Sequence, residues 1–242
     1  MIDLRWQLPD APLRTSVITA NAIGLLAVIA LGSMTRAGLH LGVLYPLKAV
    51  AVFAVVMLTA IGFVREHHPF ARFGPANGTT TARATLVALV VSLVGEPGVQ
   101  VVAASAAGFT LLVTALDGVD GWFARRTRMA SDFGARFDME TDALLVMALS
   151  VLAWQYGKAG AWVLLCGLLR YLFVAGGWLW PWLRPPLPPS IRRQTICVVQ
   201  VVGLSLTIVP VIPTPLSTVL AAITLSALCY SFLVDVVWLS GR

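Results

Sequence analysis

Charge is what this sequence has least of. Only 12% of its 242 residues are Asp, Glu, Lys or Arg, while 58% are hydrophobic. A soluble domain of this length carries nearer a quarter of charged residues, so a water-exposed globule is excluded. Sustained polar–apolar alternation is missing too, which argues against an outer-membrane barrel. Cysteine is scarce: Cys166, Cys197 and Cys229 lie singly inside apolar runs, without metal-ligand spacing or a disulfide framework. They read as small core residues. A basic stripe is also absent, although the formal net charge is +6. The basic residues are scattered among loops, which speaks against nucleic acid and for orientation in a bilayer with anionic headgroups.

What the chain does have is long apolar runs, and its mean hydropathy is +0.86. At about 1.5 Å rise per residue each run can cross a hydrocarbon core of about 30 Å. The expected fold is all-α, a polytopic helical membrane protein of about eight transmembrane helices. Spans are placed near 15–33, 43–64, 79–95, 99–117, 137–156, 160–181, 195–212 and 216–238. The first lacks a convincing small-residue cleavage site and is read as a retained span. Breaks fall at "REHHPFARFGPANG" (65–78), "GEPG" (95–98), "YGKAG" (156–160), "RPPLPPSIRR" (184–193) and "IPTP" (212–215). The chain divides once, into a two-span accessory region at 1–70 and a six-span domain at 75–242.

With the N-terminus inside, one face collects Arg5, Arg14, Arg65, Arg72, Arg125, Arg126, Arg128, Arg136, Arg184, Arg192, Arg193 and Arg242. The other receives Arg36, Lys158 and Lys48. The positive-inside rule then sets both termini in the cytoplasm of an inner or plasma membrane. Trp178, Trp180 and Trp182 read as an interfacial aromatic belt, and the "PPLPP" run as a stiff connector. His67 and His68 read as interfacial side chains, and Asp235 as an ion-pair partner.

The exception to the apolar rule is "LDGVDGWFARRTRMASDFGARFDMETDALL" (116–145), which holds six of the eleven acidic residues. With helix through 117–128, Asp117, Asp120, Gly121, Ala124 and Arg125 fall within an arc of about 140°. On a second helix from 134, Gly134, Asp138 and Asp142 recur every fourth residue and drift by only about 80°. Packed antiparallel, the two helices bring four carboxylates together at the cytoplasmic boundary. Four anions there cannot coexist unneutralised. Hard oxygen ligands in this number call for Mg²⁺ or Mn²⁺, as one ion or two, with metal positions left for phosphate oxygens. Gly121, Ala124 and Gly134 clear room for a ligand near the backbone, and Arg125 suits a phosphate or carboxylate. A lone D-x-x-D behind a span usually marks a solvated loop with ion pairs. Eight positions of the right type at fixed spacing do not.

That spacing, D-x2-D-G-x2-A-R-x8-G-x3-D-x3-D, resembles the signature of the CDP-alcohol phosphotransferases (CDP-alcohol phosphatidyltransferases), with every position filled. Upstream, "NGTTTAR" supplies Asn77, Thr80 and Arg83, similar to the Asn-x-x-Thr-x-x-Arg lead-in of that family's first span. The resemblance covers about 75–242. It implies that Asp117, Asp120 and Asp138 hold a divalent pair, with Asp142 contributing to it or standing beside it, and that Asp142 is also the general base on the acceptor hydroxyl. It implies a CDP site shaped by Gly121, Ala124, Arg125, Gly134, Asn77 and Thr80. The implied reaction is attack of an alcohol on the β-phosphorus of CDP-diacylglycerol, with CMP leaving, and a homodimer is the usual assembly.

The acceptor is a polar alcohol, phosphorylated or not. Arg170 is an isolated charge inside a span, and such residues are functional by default. Together with Arg192 and Arg193 it is a candidate holder of an acceptor phosphate; the alternatives are Arg170 paired with a helix end or Asp235, and Arg192 and Arg193 setting topology. One departure is the stretch "RRQTICVVQ" (192–200), only loosely similar to the Lys-Thr-x-x-Gln run of glycerophosphate-using members. Rival readings are a CDP-amino-alcohol donor with a lipid-alcohol acceptor, an ion-coupled transporter, and a structural protein that keeps the motif without activity. A transporter would show internal repeats and broken helices near the midplane, and neither is visible.

Overall fold

The computed structural model describes residues 9–127, 129–188 and 190–241, apart from the side chains of Arg65, Glu66, Asp120, Ala124 and Arg125. Its regular structure is helical throughout: α1 (Leu13–Leu39), α2 (Tyr45–His67), α3 (Gly74–Ser92), α4 (Gln100–Thr127), α5 (Asp132–Gln155), α6 (Leu165–Leu179), α7 (Ile191–Ile208) and α8 (Thr214–Ser240). Short 3₁₀ turns precede and follow α6, at Ala161–Leu164 and Pro181–Leu183.

Six helical segments are long and apolar enough to cross a membrane: α1, α2, α4, α6 with its leading turn, α7 and α8. The expected count of about eight spans is therefore not confirmed: among the described residues there are eight α-helices, six of which qualify by length and composition. The two that fall short, α3 and α5, carry Asn77, Thr80, Arg83, Asp138 and Asp142. α3 is buried around much of its circumference, including Asn77, Thr80, Thr81, Arg83 and Thr85. A helix lined by protein rather than lipid need not be apolar.

Two boundaries differ instructively from expectation. α1 continues past 33 to Leu39 and ends where His40 takes a left-handed conformation, φ 53°. α7 stops at Ile208 instead of 212, because Val209 precedes Pro210 and adopts ψ 130°.

The chain forms two compact units, one of Met1–Glu96 with Phe109–Asp142, the other of Pro97–Gly108 with Ala143–Arg242. In the first, α1, α2 and α3 pack mutually. Gly24 permits the close approach: a Cβ there would lie 2.5 Å from the Phe53 ring and 3.1 Å from Thr81 Cγ2. The Tyr45 hydroxyl donates to Leu89 O at 3.0 Å, and Ser16 Oγ accepts from Phe73 N–H at 3.0 Å. The N-terminal pair of helices thus belongs to the unit that carries the aspartates. In the second unit Leu145, Leu149, Leu152, Leu204 and Ile208 are completely buried, and α7 packs along α8.

Candidate metal and nucleotide site

Asp117 lies three turns from the C-terminal end of α4, and Asp138 and Asp142 lie in the first half of α5. One carboxylate oxygen from each falls within 4.8 Å of the others. Three of the four expected carboxylates therefore converge. The Asp120 side chain lies outside the described residues, as do those of Ala124 and Arg125. Asp117 and Asp138 keep 36% and 38% of their side-chain surface and Asp142 keeps 21%, so the cluster can be reached from outside.

The group that gathers these anions is Arg83 of α3, whose side chain is only 1% exposed. Its Nη1 lies 2.9 Å from Asp117 Oδ1 and also donates to Asp138 Oδ1, while Nη2 donates to Asp142 Oδ1. One planar fork spans carboxylates from two helices, a geometry that lysine cannot supply. Within this group of four side chains, one positive charge faces three negative ones.

That excess bears on metal fit. Two oxygens on one Mg²⁺ at about 2.1 Å sit about 3–4 Å apart, so a spread within 4.8 Å needs little contraction. The donors are all hard oxygens, the preference of Mg²⁺ and Mn²⁺. Asp117, Asp138 and Asp142 fit such a cation.

Beside the carboxylates, Asn77 meets Gly134. The Asn77 amide donates to Phe73 O at 2.5 Å, and its Oδ1 would lie 2.9 Å from a Cβ placed on Gly134. Only a residue without a side chain lets α5 come this close to α3. Thr80 is buried and its hydroxyl donates to Ala76 O at 3.1 Å, within its own helix. Gly121 is half-buried on α4.

Of the candidate acceptor residues, Arg170 lies half-buried on α6. Arg192 and Arg193 begin α7, and both engage Asp235 of α8, at 2.5 Å and 3.1 Å. Arg192 also donates to Ser231 Oγ at 2.9 Å. Asp235 is the ion-pair partner expected of it, with the α7 arginines as partners. Two guanidiniums on one carboxylate leave a net positive charge at the start of α7.

Sequence reasoning misses two contributors. Arg83 enters it only as the last letter of a motif, with no role. His68, read as interfacial, is 5% exposed. A histidine followed by Pro69 at a helix end, near three phenylalanines, is the signal that could have marked it as a packed joint.

Comparison with known proteins identifies the family. A family model described as CDP-alcohol phosphatidyltransferase matches residues 73–233, about two thirds of the chain. The CDP-diacylglycerol–glycerol-3-phosphate 3-phosphatidyltransferase of Bacillus subtilis (strain 168) is 30% identical over 83 residues, 34% of this chain and 43% of that protein. The chain thus spans less than half the length of this curated relative. No solved structure matches. With α3, α4 and α5 carrying the aspartate site inside the matched region, the chain belongs to the CDP-alcohol phosphatidyltransferase family.

Proposed function

We propose that the protein transfers the phosphatidyl group of CDP-diacylglycerol to the hydroxyl of a polar alcohol, releasing CMP. The observation that carries this reading is the convergence of Asp117, Asp138 and Asp142 on the buried Arg83. Asp117, Asp120, Asp138 and Asp142 would hold Mg²⁺ or Mn²⁺, one ion or two. When bound, the cation neutralises the pyrophosphate and the charge that develops on departing CMP.

The remaining chemistry belongs to the chain. Asp142 accepts the proton of the acceptor hydroxyl as its oxygen attacks the β-phosphorus. The bond from that phosphorus to the CMP oxygen breaks, and a phosphodiester forms. Gly121, Ala124, Arg125, Gly134, Asn77 and Thr80 shape the CDP site. The small residues let the nucleotide approach the helix backbone, and Arg125 pairs with phosphate. Arg83 keeps the carboxylates from separating by mutual repulsion. Arg170, Arg192 and Arg193 would hold a phosphate on the acceptor, a role favoured by the surplus positive charge around Asp235.

A membrane setting suits the donor, whose acyl chains remain in lipid while its headgroup reaches the carboxylates. The arginine bias between loops favours a cytoplasmic site and cytoplasmic termini. The relative's name, which contains CDP-diacylglycerol and glycerol 3-phosphate, favours a diacylglycerol-linked donor over a CDP-amino-alcohol.

The test is radiolabelled CDP-diacylglycerol in detergent with Mg²⁺ or Mn²⁺ and a panel of alcohols that includes glycerol 3-phosphate. CMP release with one acceptor, lost in Asp142→Asn, is the expected result. Release only from CDP-choline or CDP-ethanolamine would reverse the donor assignment, and no release from any cytidine diphospho-ester would end the proposal. Arg170→Ala should weaken the apparent affinity for a phosphorylated acceptor, and unchanged affinity removes Arg170 from that role.

A further inference from the structure

One route from the N-terminal helix pair to the aspartate site runs through His68. His68 follows α2 and lies against the segment that starts α5. Its Nε2 is 2.8 Å from Arg72 O and its Nδ1 is 3.0 Å from Ser131 Oγ. A carbonyl can only accept, so Nε2 carries the proton and Nδ1 of the neutral ring is an acceptor. The Ser131 hydroxyl must then donate to Nδ1. That leaves Ser131 Oγ to accept the Gly134 N–H, which it does at 3.1 Å. The result is a directed chain from Gly134 through Ser131 and His68 to the Arg72 carbonyl.

Ser131 precedes the first residue of α5 and bonds the third, the position of a helix N-cap. A free serine can rotate its hydroxyl or release its helix end, but this one is held from behind by a buried ring. The ring itself cannot turn: its edge packs on Phe133 at 5.8 Å between centroids and 76°, and on Phe70 at 5.4 Å and 72°. Phe133 stacks on Phe137 at 5.8 Å. On α5 the Arg136 guanidinium lies over the Phe63 ring of α2 at 5.1 Å. From Gly134, successive turns lead directly to Asp138 and Asp142.

We propose that His68 is a positioning residue, which fixes the first turn of α5 through Ser131 and so sets Asp138 and Asp142 against Arg83 and Asp117. The N-terminal pair is on this view a working part of the catalytic unit. The kinetic part of the inference rests on the transferase reading above, while its structural part does not.

The test uses full-length protein with His68→Phe, His68→Gln and Ser131→Ala. Phenylalanine keeps the packed ring and removes both hydrogen bonds. Glutamine can restore both, with its amide N–H toward Arg72 O and its oxygen toward Ser131. Hydrogen–deuterium exchange across 132–142 should rise in His68→Phe and Ser131→Ala and stay near wild type in His68→Gln. The kcat should fall about tenfold in the first two, with KM for the cytidine donor changed less than about threefold. The glutamine variant should recover to within about threefold of wild type. Because both residues act through one chain, the double variant should be no slower than the slower single.

Unchanged exchange across 132–142 in Ser131→Ala and His68→Phe overturns the inference whatever the activity. Raised exchange with kcat intact, or losses that multiply in the double variant, also overturns it. Wild-type protein that turns over no CDP-linked donor sinks the transferase reading alone, since the exchange pattern still decides whether His68 sets α5.

Discussion

Arg83 Nη1 stands 2.9 Å from Asp117 Oδ1, an ion pair between α3 and α4 in which the cation is 1% exposed and the anion 36% exposed. The asymmetry matters. The guanidinium has given up its hydration to the carboxylates, whereas each carboxylate keeps part of its surface exposed. Arg83 is thereby a fixed internal counter-charge, and a divalent ion bound from outside would share the same oxygens without displacing a solvated residue.

Replacing Arg83 should thus destabilise the protein and sensitise it to divalent ions. Arg83→Met leaves three carboxylates facing one another and removes their common donor. Loss of one partner from a fully buried pair costs about 3–5 kcal/mol; the carboxylates here reach solvent, so about 2 kcal/mol is expected. Mg²⁺ or Mn²⁺ should then raise Tm more in the variant than in wild type, because the ion neutralises charge that Arg83 otherwise offsets. Thermal unfolding in detergent with and without the ion, and after EDTA, measures both effects. Equal ion-induced shifts in the two proteins would mean that Arg83 and the metal do not share ligands.

Gly134→Ala should damage activity more than stability. The added Cβ would lie 2.9 Å from Asn77 Oδ1 and 3.4 Å from Ser131 Oγ. Asn77 cannot retreat freely, since its amide is bonded to Phe73 O. Either that amide rotates or α5 moves outward by a few tenths of an ångström, and overpacking of this kind costs about 1–3 kcal/mol. Displacement of Asp138 and Asp142 should lower kcat at least about tenfold. Turnover measured beside Tm separates the two effects, and full turnover in Gly134→Ala would show that this contact does not control the site.

What could be read from sequence divides along a physical line. The carboxylates were legible because helical periodicity sets which residues share a face, and periodicity is a local property. Asp117 on one helix and Asp138 with Asp142 on the next converge as their spacing requires. The all-helical fold was legible for the same reason. The roles of Arg83 and His68 were not, because the partners that tie them to α4 and to the start of α5 lie about 34 to 63 residues away in sequence and spacing does not encode which face of α3 meets α4. Lys158 is a similar case. Counted as a topological charge, it proves to tie down the turn after α7, more than 40 residues later.

Glu96 predicts a pH dependence of stability away from the aspartate site. Burial alone would push its carboxyl up, but the Lys48 ammonium at 2.9 Å and the Gly42 N–H at 2.9 Å together outweigh burial and hold it below its ordinary value of 4.5. A depressed acid contributes stability that is fully present above 4.5 and is lost as pH falls through the folded value. Wild-type Tm should accordingly exceed that of Glu96→Gln at pH 7, and the difference should shrink as the pH is lowered past 4.5. A difference that stays constant with pH would mean that the pair contributes through its shape and not through its charge.

Lys158 sets the last prediction, at the opposite end of α7 from its arginines. α7 ends at Ile208, and the chain turns through 209–212 before α8. The Lys158 ammonium ties this turn down, donating to Val209 O at 3.1 Å, Pro210 O at 3.4 Å and Ile212 O at 2.7 Å. Its own carbonyl accepts from the Ser217 hydroxyl at 2.7 Å and the Thr218 hydroxyl at 3.1 Å, which joins the start of α8 to the same knot. Lys158→Met keeps the length of the stem and removes every donor. It should cost about 1.5 kcal/mol, the low end for hydrogen bonds to a charged group, since the acceptors are only part-buried. Lys158→Arg should recover little, because a planar fork cannot point at three carbonyls grouped around one nitrogen. Turnover below the unfolding transition should stay near wild type, since no step assigned to the aspartates passes through this loop. Parallel Tm and activity measurements on the two variants decide the matter: a loss of turnover without a loss of Tm would show that the Lys158 knot acts on the chemistry and is more than a clamp.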